Sequence, residues 1–297
     1  MEFNNLTIKY DTLCFSGGGM KGLIFFGVLK YLKDINFIDI NNITTFVGTS
    51  IGSIISFILS LGFSIEEIIY FILKFNFKLL VPDIDINNIL EYNGIDHGDK
   101  VIKILVMFLK QKLNCEDLTF QEHYNLSKKK LFVIVTNYTK SCEEVCNYIN
   151  TPDLSIITAI RMSISIPFVF TPILYNDNYY VDGGLTNNFA INHCNKKTTL
   201  GFIIVNEFIN EMKDITKYLS SCFTIIINSL SIKHNINNIN IIKINNIDIK
   251  LINFDMDFDY KLKLINIGYE RAQEYIKDLH INICKELVND LFNSIFF

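Results

Sequence analysis

The chain has 297 residues, of which 49% are apolar and 13% aromatic, with four prolines and a formal net charge of −4. That length accommodates one or two domains with a sizeable buried core, and the apolar content excludes an extensively disordered chain. The acidic balance excludes a global electrostatic reason to bind nucleic acid, because the densest basic run, Lys128, Lys129 and Lys130, reads as a solvated loop before an apolar segment.

Residues 1–12 carry Glu2, Asn4, Asn5, Lys9 and Asp11 with no apolar stretch behind a basic start, so no signal peptide is expected. Leu6 to Phe15 reads as an extended segment that ends in Ser16, Gly17, Gly18 and Gly19. Leu23, Phe26, Leu29 and Leu32 then repeat at helical spacing. Thr45 to Val47 is a short strand running into Gly48-Thr49-Ser50-Ile51-Gly52, followed by a helix from Ile54 to about Leu61 that Gly62 stops. Phe46 to Phe63 is the most apolar stretch, but at about 18 residues with four serines it reads as buried strand, turn and helix, because a membrane span needs about 20 predominantly apolar residues. Ser64 with Glu67 three positions on is a capping-box start for a third helix. Within it and beyond, Ile68 to Val81 is rich in Phe and Ile, with Lys74 and Lys78 four apart. A core helix is the expectation, with an interfacial helix or lid as the alternative.

From Val81 to Asn125 the pattern is irregular apart from a helix around Lys100 to Lys112. Leu131 to Thr136 reads as a buried strand, Ser155 to Arg161 as a helix broken by Ser165-Ile166-Pro167, and Tyr179 to Val181 as a strand ending in Asp182-Gly183-Gly184. Phe202 to Val205 and Thr224 to Ile227 are further expected strands. The Ile-rich stretch 234–250 alternates like a half-buried strand, and Tyr260 to Leu279 forms a long helix. Alternating strands and helices imply an α/β fold, with a mostly parallel central sheet covered by helices on both faces and chemistry at the strand ends. One domain over 1–297 is expected, with its motifs between about 10 and 205 and accessory strands and helices over 206–297.

Three glycine turns carry the chemistry. Gly17-Gly18-Gly19-Met20-Lys21-Gly22 satisfies G-x-G-x-x-G, so a dinucleotide site, an oxyanion hole and a purely structural turn all remain open. It is not a P-loop, because Gly22 stands where Ser or Thr must follow the lysine. In Gly48-Thr49-Ser50-Ile51-Gly52, the flanking glycines permit a turn sharp enough to expose a nucleophilic Ser50 hydroxyl. That hydroxyl needs a neighbouring base. The histidines after Asp182, namely His193, His234 and His280, have undistinguished polar or helix-end settings, whereas Asp182 lies on a strand-end glycine turn.

Taken together, SGGGMKG at 16–22, GTSIGS at 48–53 and YVDGGLTNN at 180–188 resemble the patatin-like phospholipase family, and the run AIRMSISIPFVFTPILYNDNYYVDGG resembles the family's approach to its aspartate. The resemblance implies a patatin-like α/β fold and a Ser50–Asp182 dyad without histidine. It also implies an oxyanion hole from the amides of Gly17, Gly18 and Gly19, with Lys21 ordering that loop and Gly22, Gly48, Gly52, Gly183 and Gly184 supporting the motifs. Ala190 departs from a common proline and Phe168 from a common small residue, which puts acyl-chain preference in doubt and leaves the dyad intact. The implied activity is hydrolysis of glycerophospholipid or other acyl-ester lipids through an acyl-enzyme, with transient membrane-surface contact and no cofactor, and with no oligomeric state specified. A Ser-His-Asp esterase and a weakly catalytic lipid-binding protein of the same fold are the rivals.

No metal is implied. Cys142 and Cys146 lack partner ligands at zinc spacing, Asp83 to Asn87 lacks the Gly and Glu of a calcium loop, and Asp255, Asp257 and Asp259 fail in the same way. Seven cysteines without a framework fit a reducing cytosol, and the excess of Ile and Asn fits a source with an AT-rich genome. A cytoplasmic protein, at most peripheral to a membrane, is expected.

Overall fold

The computed structural model describes residues 9–81, 91–205, 222, 225–226, 240–245 and 254–296, and in the last helix it leaves out the side chains of 283 and 286–296. Its strands are β1 (Thr12–Phe15), β2 (Thr45–Thr49), β3 (Gly94–Asp96), β4 (Lys130–Asn137), β5 (Cys142–Cys146), β6 (Phe168–Phe170), β7 (Ile173–Tyr175), β8 (Asn178–Asp182), β9 (Thr199–Ile204) and β10 (Ile241–Ile244). The helices are α1 (Ile24–Asp34), α2 (Ile51–Ser60), α3 (Ile65–Lys74), α4 (Asp99–Leu113), α5 (Phe120–Ser127), α6 (Ile156–Ser163), α7 (Gly184–Asn187) and α8 (Phe258–Phe296).

An eight-stranded sheet runs β10-β9-β1-β2-β4-β8-β7, with β5 also paired to β4. β10, β9, β1, β2 and β4 are mutually parallel, while β5, β8 and β7 enter antiparallel. Side chains alternate across the sheet as the strand period requires. Leu13, Phe15, Phe46, Val133, Val135 and Phe202 join the large core beneath the main helical layer, whereas Cys14, Val47, Ile134 and Ile203 pack under Phe189, Ala190 and Ile191 on the other face. The fold is therefore the mixed α/β architecture expected, with one thick helical layer and one thin layer built by α7 and the segment after it.

The registers explain how the site assembles. β5 covers one edge of β4 at Val133–Asn137. β2 pairs with Lys130–Ile134 and β8 with Val135–Asn137, so both must take the opposite edge. Thr49 lies across from Ile134, and Asp182 lies across from Val135. The two strands thus approach each other end to end along β4, and their last residues meet.

The Ser64 capping box is present in both directions and starts α3, which ends at Lys74, short of the expected span to Val81; Ile68, Ile72 and Phe77 are buried, whereas Tyr70, Leu79 and Val81 are exposed. Several expectations are corrected. The stretch after Val81 is not merely irregular, since it contains β3 and α5, the latter capped by Thr119 and Glu122. Of the expected strand Thr224 to Ile227, only Ile225 and Ile226 are described, and they are helical. A short apolar run has no periodicity to separate the two states. Strand β10 occupies 241–244 of the Ile-rich stretch, while 234–239 and 246–250 lie outside the described residues, as does the segment Asp83 to Asn87. Asp257 caps α8 by accepting from Tyr260 N–H at 2.8 Å, and Asp255 pairs with Lys78.

Candidate active site

β2 ends at Thr49 and α2 begins at Ile51, so Ser50 alone turns the chain. It does so at φ 54° and ψ −124°, a conformation that costs a residue with a side chain about 1–3 kcal/mol. The flanking glycines are steric necessities. A Cβ at Gly48 would overlap the Gly52 carbonyl, and one at Gly52 would overlap the Phe15 carbonyl. The Ser50 carbonyl accepts from Ser53 N–H at 2.8 Å and from the Ser53 hydroxyl at 2.6 Å, which locks the first turn of α2.

The Ser50 hydroxyl donates to Asp182 Oδ2 at 2.7 Å, across 132 residues of sequence. The other carboxylate oxygen accepts from Gly184 N–H at 2.7 Å. Asp182 is only 1% exposed, and burial pushes its pKa up to about 7 even though the hydrogen bonds from Ser50 and Gly184 pull the other way. A carboxylate poised near neutrality and bonded to a hydroxyl can accept its proton. Gly183 permits the approach, because a Cβ there would overlap the Ile134 carbonyl and sit 3.1 Å from Thr49 Cγ2.

The glycine loop follows β1, the neighbour of β2, and so stands beside the serine. A Cβ on Gly17 would lie 3.3 Å from Ser50 Cβ and against the Asn188 side chain. Gly17 N–H donates to the Asn188 carbonyl at 3.0 Å and is therefore already engaged. Among the described residues, neither Gly18 N–H nor Gly19 N–H has a protein acceptor, and Gly19 (φ 55°) opens a short 3₁₀ turn, Gly19–Leu23. Of the three expected oxyanion donors, two amides are thus open, and Gly17 instead makes room for the serine. Lys21 is buried in that turn, and its N–H closes onto the Gly18 carbonyl at 3.3 Å. Gly22 lets the turn pack on Ile51, whose Cγ1 would be 2.7 Å from an added Cβ.

Ser50 and Gly19 border an apolar cavity of about 150 Å³. It runs between the start of α2, α3, α4 and β6, with Met20, Leu23, Ile55, Leu105, Phe108 and Phe170 in its wall. Among the described residues, Ser50 contributes the one polar side chain to that lining. A hydroxyl–carboxylate pair, open amides and a greasy slot together fit acyl transfer to a hydroxyl from a long-chain ester.

Of the three histidines weighed as bases, the described ones are elsewhere. His193 bonds Glu143 at 2.6 Å on the rim of the thin layer, His280 lies on α8, and His234 is outside the described residues. Ala190 is buried in the thin core, while Phe168 is 50% exposed at φ 68°. Sequence reasoning missed Ser163, Ser165 and Asn188, which hold the backbones of Ser50, Asp182 and Gly17. The run SISIP held the only local signal for the serines, small polar residues in an apolar helix end.

The model of the family described as patatin-like phospholipase matches residues 13–194. A probable lipid hydrolase, 463L, of Invertebrate iridescent virus 6 is 33% identical over 273 residues, covering 89% of this chain and 88% of that protein. An uncharacterized protein of Acanthamoeba polyphaga mimivirus is 34% identical over 185 residues, 62% of this chain and 61% of that one. Among solved structures, VipD from Legionella pneumophila superposes with a TM-score of 0.57 at 19% identity, over 91% of this chain and 67% of that chain. The full-length SpcU–ExoU complex from the type III secretion system of Pseudomonas aeruginosa gives a TM-score of 0.51 at 14% identity, over 91% and 52%. At these identities the solved structures speak to the fold alone. No helix among the described residues is long and apolar enough to cross a membrane.

Proposed function

This chain belongs to the patatin-like phospholipase family, and we propose that it hydrolyses acyl esters of glycerolipids with Ser50 as nucleophile and Asp182 as its base. Membership makes it an ester hydrolase. The dyad, the hole and the lipid class are our reading, and the observation that carries it is the 2.7 Å bond between Ser50 Oγ and Asp182 Oδ2 at an otherwise apolar cavity.

The acyl chain occupies the cavity, which sets its ester carbonyl carbon beside Ser50 Oγ. Asp182 takes the hydroxyl proton as Oγ bonds to that carbon, and the carbonyl oxygen becomes an oxyanion facing the amides of Gly18 and Gly19. Collapse breaks the bond to the glycerol oxygen, which leaves as an alcohol with the proton from Asp182. Water then loses a proton to Asp182 while attacking the acyl-enzyme, and the second collapse releases the fatty acid and returns the proton to Ser50. The N-terminus of α2 lies behind Ser50 and favours the negative charge that develops there.

A fluorophosphonate is expected to label Ser50, and a mixed-acyl phosphatidylcholine is expected to yield free fatty acid and lysophospholipid. Labelling of a different serine, or no fatty acid from phospholipid or acylglycerol, would remove the basis for the assignment.

Two further results follow from the loop and the cavity. Gly19→Ala adds a side chain where φ is 55° and should turn one open amide away from the oxyanion. Losing one such donor typically costs about 10²–10³ in turnover, so kcat should fall by that much with KM little changed. A normal kcat would exclude Gly19 from the hole. Leu105→Phe places extra volume in the cavity wall. It should slow hydrolysis of long-chain esters while sparing acetyl esters, as competition between p-nitrophenyl palmitate and acetate would reveal. Equal effects on both esters would detach the cavity from acyl binding.

A further inference from the structure

Ser50 adopts its strained backbone where neither β2 nor α2 supplies a partner for its N–H, and a single buried hydroxyl supplies one. Ser163 Oγ, at the end of α6, accepts from Ser50 N–H at 2.9 Å and donates to the Ile134 carbonyl of β4 at 2.6 Å. Ile134 is the β4 residue across from Thr49, at the point where β2 and β8 meet. The same stretch of chain grips the aspartate side. The Ser163 carbonyl accepts from Gly183 N–H at 3.3 Å, and the Ser165 carbonyl accepts from Asp182 N–H at 2.9 Å. Thus two residues at and just past the end of α6, Ser163 and Ser165, hold the backbone on both sides of the Ser50–Asp182 bond.

That stretch is itself fixed. Arg161 is buried and donates to Ser165 Oγ at 2.6 Å, to the His97 carbonyl at 2.9 Å and to the Thr171 carbonyl at 3.0 Å. Ser165 Oγ returns a bond to the Arg161 carbonyl at 2.7 Å. The guanidinium therefore ties the end of α6 to the loop after β3 and the turn after β6. Ser163 and Ser165 are both fully buried, so neither hydroxyl exchanges its partner for water.

We propose that Ser163 is the positioning residue of the dyad, its hydroxyl holding the Ser50 backbone so that Oγ stays within reach of Asp182. The inference rests on the Ser50–Asp182 reading above and adds to it a residue that touches neither substrate nor reacting atoms. Removing the hydroxyl leaves both the Ser50 N–H and the Ile134 carbonyl without a partner in a dry site. The turn relaxes to recover one of them, and Oγ moves off line.

The test uses the full chain, a fluorophosphonate and a soluble short-chain p-nitrophenyl ester. In Ser163→Ala, the rate of Ser50 labelling and kcat should both fall about 10–100-fold, the scale of an ångström-sized misplacement, while KM stays near its original value. Labelling should still reach one per chain, because every molecule remains folded and competent but slow. Ser163→Thr retains the hydroxyl and should recover most of the rate. Ser56→Ala removes a buried serine hydroxyl on α2 that has no partner among the described residues, and it should label at the original rate. Labelling of Ser163→Ala at the original rate would overturn the proposal. So would a labelled fraction that falls in step with the folded fraction, which is the mark of a hydroxyl that only stabilises the fold. If Ser163→Thr does not fold, the rate and extent in Ser163→Ala decide alone. Absence of Ser50 labelling in the unaltered chain would instead overturn the nucleophile reading, and this inference with it.

Discussion

Asp182→Asn is expected to lower kcat/KM for a phospholipid ester by about 10⁴–10⁶-fold, the range seen when the base of a serine nucleophile is removed. Asparagine can still accept a hydrogen bond from Ser50, but it cannot take the proton, and no histidine is bonded to Ser50 Oγ among the described residues. The unaltered enzyme should show an ascending limb in kcat/KM near pH 7, because burial holds the Asp182 pKa up at about 7 and only the carboxylate is a base. The variant should lack that limb. Stability should move in the opposite direction. The native carboxyl keeps a proton that the unfolded chain, with the ordinary aspartate value of about 3.8, has already lost. Its contribution is therefore complete below about pH 4, declines as pH rises, and is gone above about pH 7. At roughly 1.4 kcal/mol per pKa unit, a shift of this size is worth at most a few kcal/mol. Asp182→Asn should thus gain stability relative to the parent between pH 4 and 8, as urea titrations at several pH values would measure. A stability difference independent of pH would mean that the carboxyl is ionised at all those values.

Ser50→Ala should abolish turnover, with about 10⁶-fold lost from kcat and no fluorophosphonate labelling, since among the described residues no other nucleophilic side chain lines the cavity. The fold should survive, because among the described residues the hydroxyl bonds only Asp182, while the turn is held through backbone groups. The more informative comparison is Ser50→Gly. The serine sits at φ 54° and ψ −124°, which alanine tolerates no better but glycine adopts freely. Ser50→Gly should therefore be about 1–2 kcal/mol more stable than Ser50→Ala while equally inactive. Equal melting temperatures would show that the elbow stores no strain. Residual activity in either variant would point to a different nucleophile.

Much of the candidate site was legible in the sequence because it is built from local devices. The glycines of 17–22, 48–52 and 182–184 encode backbone turns, and such turns depend on residues a few positions apart. The Ser64–Glu67 cap and the apolar period of α1 are local in the same sense. Local reading failed where the signal was short or weak. Helix α5 has a capping box but buries only Phe120 and His123, so its apolar period is faint. Strands β3, β6 and β7 are three residues each, and β5 is an exposed-to-intermediate run, CEEVC, with one buried residue.

That inconspicuous β5 is what the sequence could not weigh and the tertiary structure decided. By filling one edge of β4 it forces β2 and β8 onto the other, where their registers bring Thr49 and Asp182 against adjacent residues. A serine and an aspartate 132 positions apart then share a hydrogen bond. The same long-range packing commits Gly17 N–H to Asn188, brings the Ser163 hydroxyl under Ser50, and walls the cavity with helices separated by tens of residues. It also dehydrates Asp182 enough to raise its pKa. Residue type and spacing determine which backbone turns can form. Strand pairing and burial, which depend on contacts between distant segments, determine what those turns face and how their groups ionise.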